Sequence, residues 1–180
     1  PNPAGTALDV GTGTALIPVE LCRRFPNLFV VAVDAAAHML ALARENVAAA
    51  GLTDRVRLEL VDAKRLPYPD GAFPAVVSNS IVHHIPDPFV VLAEMVRVCA
   101  PGGVLFVRDL LRPGSRGELD ALVNLHAAGA NDHQRRMFAE SLHAALTLAE
   151  MQALVGRLGF AADTVRQTTD RHWTWAAVKP

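Results

Sequence analysis

Cysteine is scarce here: 180 residues carry two, Cys22 and Cys99. Both fall in helical patterns and read as buried thiols, which excludes a disulfide framework. Aromatic residues make up 6%, with one tyrosine, and the net charge is −1 without a long basic run. That surface lacks the electrostatic footprint of a nucleic-acid binder, so no such partner is expected. No apolar run approaches the ~20 residues of a spanning helix. A charged-then-apolar leader is missing, so the expected compartment is the cytoplasm. His126, His133 and His143 lack a tight ligand spacing and no cysteine pair supports them, so no metal site is expected.

What the chain does have is alternation. Hydrophobic residues reach 51%, part of it alanine, enough for a substantial core in a single domain over residues 1–180. Apolar strand patterns cover residues 6–10, 28–33, 56–61, 75–79 and 104–108. Helical patterns cover 14–25 and 37–50, the first with Pro18 in its opening turn, the second closed by Gly51. Asp87-Pro88 opens another helix, with Phe89, Leu92, Val96 and Cys99 as its buried stripe, before a turn at Pro101-Gly102-Gly103. A capping box at Thr147 and Glu150 begins a late helix ending near Gly159. Residues 163–178 read as a strand pair, with Trp173 and Trp175 on one core-packed face.

Strands alternating with helices predict an α/β fold with a parallel sheet covered on both faces. Ligands of such sheets lie beyond the carboxyl ends of the strands, where the strand order switches. The segment 110–146 is long for a connection and patterned as helix around 118–128 and 134–145. It is expected to be a lid or substrate insertion, lined by Asn131, His133, Arg135, Arg136 and Phe138.

The run Leu8-Asp9-Val10-Gly11-Thr12-Gly13-Thr14-Ala15 is a nucleotide-binding strand–loop–helix turn. Asp34 closes the next apolar strand twenty-one residues after Gly13, a distance that suits a ribose diol. A dinucleotide fingerprint would place a third glycine where Leu16 stands. A carboxylate at Asp9 would also repel a pyrophosphate, whereas it suits a cationic ligand such as S-adenosylmethionine.

These runs, with Val76-Val77-Ser78-Asn79-Ser80-Ile81-Val82-His83-His84-Ile85 and Arg97-Val98-Cys99-Ala100-Pro101-Gly102-Gly103-Val104-Leu105, resemble a class I S-adenosylmethionine-dependent methyltransferase of the quinone-biosynthesis type. The resemblance implies a Rossmann-like doubly wound sheet, mostly parallel with an antiparallel C-terminal strand, in three αβα layers. It implies that Gly11 and Gly13 admit the amino-acid part of the cofactor, Asp9 holds its amino group and Asp34 its ribose. Ala35 and Met39 would pack on the adenine, Asp62 and Ala63 would bind its edge, and Asn79 and Ser80 would face the methyl group.

Methyl transfer to a small-molecule acceptor, leaving S-adenosylhomocysteine, is the expected activity. His83 and His84 are the candidate general bases, and His133, Arg135 and Phe138 the candidate substrate contacts. Ala15 departs from the family pattern, standing where a third glycine is frequent. The first strand also begins early, without the helical segment that covers the substrate in relatives; a fragment, an unusually open site or a cover supplied by the second subunit of a homodimer are the expectations. A cofactor-binding partner or sensor without catalysis is the alternative reading, and a nucleotide-dependent oxidoreductase a distant third.

Overall fold

The computed structural model describes residues 5–180. Short apolar β-branched runs become strands and the amphipathic stretches between them become helices, in the order β1 (Gly5–Val10), α1 (Leu16–Arg24), β2 (Leu28–Asp34), α2 (Ala37–Ala49), β3 (Val56–Leu60) and β4 (Phe73–Asn79). A 3-10 turn, Val82–His84, precedes α3 (Pro88–Val98) and β5 (Cys99–Leu110), and a second, Ala162–Thr164, precedes the last two strands. Then follow α4 (Arg116–His126), α5 (Asp132–Ala144), α6 (Leu148–Arg157), β6 (Val165–Thr169) and β7 (His172–Val178).

The strands form one seven-stranded sheet in the order β3-β2-β1-β4-β5-β7-β6. β1 pairs in parallel with β2 on one side and β4 on the other, and β2 with β3. β6 and β7 run antiparallel. The order reverses between β1 and β4, and sheets of this kind bind ligands in the crevice at the carboxyl ends of the strands at such a point.

The chain divides into two compact units. One holds residues 5–79, Phe89–Val107 and Ala176–Pro180; the other holds Ser80–Pro88 and Arg108–Trp175. In the first, Ala15, Val19 and Cys22 of the α1 region and Ala43 and Val47 of α2 pack with Ala7, Val30 and Ala32 of the sheet. In the second, α4 and α5 pair around Val123, Ala127, Leu142 and Ala145. There α6 begins with the expected capping box, Thr147 Oγ1 accepting from Glu150 N. Trp173 and Trp175 are fully buried, although each indole N–H has no hydrogen-bond partner.

Most boundaries shift by one or two residues, and the largest difference from the sequence reading lies at the start of β5. Cys99 opens β5 instead of completing the α3 stripe, and the strand begins well before residue 104. The cause is long-range: Gly102 N donates to Lys179 O at 2.8 Å and Lys179 N to Gly103 O at 2.9 Å, so the tail draws the glycine pair into the sheet. A Cβ on Gly103 would lie 2.7 Å from Ala100 O, so only glycine fits that approach. Lys179 Nζ then donates to the carbonyls of Val96 and Cys99, both at 2.8 Å, a cation at the C-terminal end of α3. Both cysteines are buried and free. No helix among the described residues is long and apolar enough to cross a membrane.

Candidate functional site

Parallel pairing sets Val10 level with Val33 of β2 and Ser78 of β4, so their following residues share the crevice edge. There the chain turns from β1 into α1. Gly11 and Gly13 adopt φ of +75° and +56°, in the left-handed region where a side chain is strained. The amides of Gly11 and Thr12 both donate to Val33 O at 2.9 Å. Ala15 is also left-handed, at φ +59°, and fully buried. Its methyl is accommodated in the core, and the backbone there carries strain of order 1–3 kcal/mol. Glycine at this position would be free of it.

Asp34 closes the loop. Its Oδ2 accepts from Gly13 N and its Oδ1 from Ala36 N, each at 2.8 Å. A carboxylate offers about four lone-pair sites, so roughly two remain for a ligand. Asp9 lies beneath the loop and is 1% exposed. Burial is the main cause that pushes its pKa up to about 6, with a smaller push from the Asp34 charge; the Thr12 side chain pulls the other way. Even so, Asp9 Oδ2 and Thr12 Oγ1 have no hydrogen-bond partner.

Other expected cofactor residues gather in the same unit. Met39 approaches the loop, its Cε lying 3.6 Å from where a Gly13 Cβ would be. Ala35 sits between Asp34 and the Ala36 amide. Val61 N donates to Asp34 O at 3.0 Å, which ties the end of β3 to Asp34 and brings Asp62 and Ala63 close behind. Asp62 is exposed and accepts from Lys64 N at 3.0 Å, a bond that holds its carboxyl below the usual range. Asn79 ends β4, anchored by Ser78 Oγ donating to Val10 O at 2.8 Å.

In the second unit Ser80 is left-handed at φ +61° and its amide donates to Arg108 O at 2.9 Å. The 3-10 turn beyond it holds the histidines. His83 Nδ1 lies 2.5 Å from Oδ1 of Asp109, which is fully buried. The same carboxylate accepts the amides of Val82 at 2.5 Å, His83 at 3.3 Å and Leu110 at 2.6 Å. The His84 ring lies against that of His83, tilted by 43° with centroids 3.9 Å apart. Burial, then the neighbouring His83, holds the His84 pKa below the usual imidazole value, against an opposite pull from Asp109.

Both histidines line a cavity of about 390 Å³ with Arg112, Ala144 and Leu146. The three expected substrate residues lie elsewhere on α5: His133 is exposed on its first turn, and Phe138 packs on the α4–α5 cluster. Arg135 donates to Ala127 O at 2.9 Å and Asn124 Oδ1 at 2.5 Å. Asp109 and Arg112 escaped the sequence reading. The signal for Asp109 was present: an acid closing an apolar strand, as at Asp34. No group of three His, Cys, Asp or Glu residues among those described could hold a metal ion.

The methyltransferase domain family matches residues 8–107, more than half of the chain. This chain belongs to that family. S-adenosylmethionine is the cofactor of the class. Among its relatives, 27-O-demethylrifamycin SV methyltransferase of Amycolatopsis mediterranei is 30% identical over 94% of this chain and 60% of its own length. Demethylmenaquinone methyltransferase of Deinococcus radiodurans is 42% identical over 60% of this chain and 44% of its own. The chain therefore spans only about half the length of such relatives. The crystal structure of a SAM-dependent methyltransferase from Aquifex aeolicus shares the fold, with TM-score 0.69 and 19% identity over 96% of this chain and 80% of that one. The methyltransferase loop in this chain suits the cofactor chemically: a buried carboxylate oxygen without a donor fits a cationic group, and the open lone pairs of Asp34 fit a diol.

Proposed function

We propose that this chain transfers a methyl group from S-adenosylmethionine to a small-molecule acceptor in the cytoplasm. The observation that carries the reading is the buried Asp9 carboxylate, with one oxygen lacking any partner, beneath a glycine turn that Asp34 clamps. When bound, the cofactor supplies a methyl group already activated on a sulfonium, so positioning provides much of the rate.

Asp9 receives the amino group, and the left-handed Gly11 and Gly13 let the backbone come close. Asp34 takes the ribose hydroxyls. Ala35 and Met39 cover the adenine, with Asp62 and the Ala63 amide at its edge and Asn79 and Ser80 toward the methyl group. His83 is the general base for an oxygen or nitrogen acceptor. Asp109 accepts its Nδ1–H, which fixes the tautomer with Nε2 as the proton acceptor. His84, kept neutral, adds no competing charge beside it. Segment 110–146, with α4 and α5, serves as the lid or substrate insertion.

A transfer assay with methyl-labelled donor against a panel of phenols, hydroxylated polyketides and amines tests this. Label appearing in at least one acceptor, and lost in His83→Ala, supports the reading. Cofactor binding with no transfer across the panel favours a binding protein without catalysis, and no binding at all contradicts both.

A further inference from the structure

Arg108 directly precedes Asp109 on β5, so the two side chains leave opposite faces of the strand. Asp109 is accounted for by His83; Arg108 is not. Its guanidinium, which carries five N–H donors, makes one side-chain contact, Nη2 to His172 Nδ1 at 3.2 Å. Its Nε is buried without a partner. No carboxylate among the described residues pairs with it. The nearby acid Asp170 is already held by His126 Nε2 at 2.5 Å and Arg171 Nη1 at 3.2 Å. A partly buried guanidinium held only by a neutral ring is unusual, since sequestered charges are normally paired.

The state of His172 follows from its contacts. Arginine only donates, so Nδ1 of His172 is an acceptor. Thr169 Oγ1 stands 2.8 Å from the same nitrogen, and a hydroxyl, which can donate, is compatible with an accepting Nδ1. The imidazole proton therefore sits on Nε2, leaving one N–H unused. Burial, then the charges of Arg108 and Arg171, hold the His172 pKa low, against weaker pulls from Asp109 and Asp170. The result is a fixed cation beside a fixed neutral donor, both half-buried.

We propose that Arg108 and His172 form a binding site for the oxyanion of a small molecule, a carboxylate or phosphate ester that takes the unused Nη hydrogens of the guanidinium and the Nε2–H of His172. The site is separate from the methyl-transfer reading and concerns binding alone.

NMR of the isotope-labelled full chain, without any methyl donor, tests it by titration with inorganic phosphate, acetate and, as a neutral control, acetamide. Phosphate or acetate should shift the Arg108 side-chain and His172 ring signals saturably, and acetamide should not. The tighter of the two anions distinguishes an ester from a carboxylate; either supports the site. Arg108→Gln should weaken binding about tenfold or more. Arg166→Gln, at an exposed arginine on β6, should leave it unchanged. If Arg108→Gln does not fold, Arg108→Lys decides, because it keeps the charge and loses the fork, and weaker binding is expected. Equal shifts at all arginines, or unaltered affinity in the Arg108 variant that folds, would overturn the proposal. Such a failure leaves cofactor binding and turnover untouched, so the two readings are tested apart.

Discussion

Asp9 and Asp109 are both buried carboxylates near the end of a strand, and they are treated in opposite ways. Asp109 has a donor for each oxygen: three backbone amides and the His83 ring. Asp9 keeps an oxygen with no donor, and its pKa rises to about 6. A satisfied carboxylate orients its protein neighbour; an unsatisfied one is a standing cost that a cationic ligand removes. The proposed roles rest on this contrast: positioning for Asp109, cofactor binding for Asp9.

The largest effect should come from the satisfied side. His83→Ala is expected to lower kcat by about 10²–10⁴ while cofactor affinity holds, and Asp109→Asn should follow it in direction. Steady-state kinetics together with direct cofactor titration separates the two quantities. A loss of affinity instead of turnover would break the distinction drawn here. Next in size, Asp34→Ala removes two charge-assisted loop bonds and the proposed ribose contacts, and should weaken cofactor binding about 100-fold by calorimetry.

Asp9→Asn should move stability and binding in opposite directions. The folded pKa of Asp9 lies above its unfolded value of 3.8, so the folded state holds the proton longer and loses stability as pH rises from about 4 to about 6. Removing the charge should raise stability near neutral pH by up to about 3 kcal/mol, flatten that slope in denaturant melts, and weaken cofactor binding. The smallest effect belongs to Ala15→Gly. Relief of the left-handed backbone is offset by a lost buried methyl and a more flexible unfolded chain, so stability should change by less than about 1 kcal/mol.

Local chemistry was legible in the sequence. The glycine turn, Asp34 at its distance from Gly13, the Thr147 capping box and the buried tryptophans all follow from short-range pattern. What stayed hidden depends on distant pairing. Asp109 meets a histidine twenty-six residues earlier. β5 begins early because Lys179, far along the chain, bonds Gly102 and Gly103. Arg135 read as a substrate contact because it lies in the 110–146 insertion and an arginine suits an acidic group, whereas its guanidinium binds the carbonyl of Ala127 and the side chain of Asn124. Ala15 stood out as a departure from glycine, but only its φ shows what the departure entails.

The most direct test is calorimetric titration with S-adenosylhomocysteine from about pH 5 to about pH 8, for the natural chain and Asp9→Asn. A cationic amino group on an ionised Asp9 requires saturable binding that strengthens as pH rises through about 6. The Asn variant should bind more weakly and lose that dependence. Binding indifferent to pH and to the substitution would contradict the role given to Asp9.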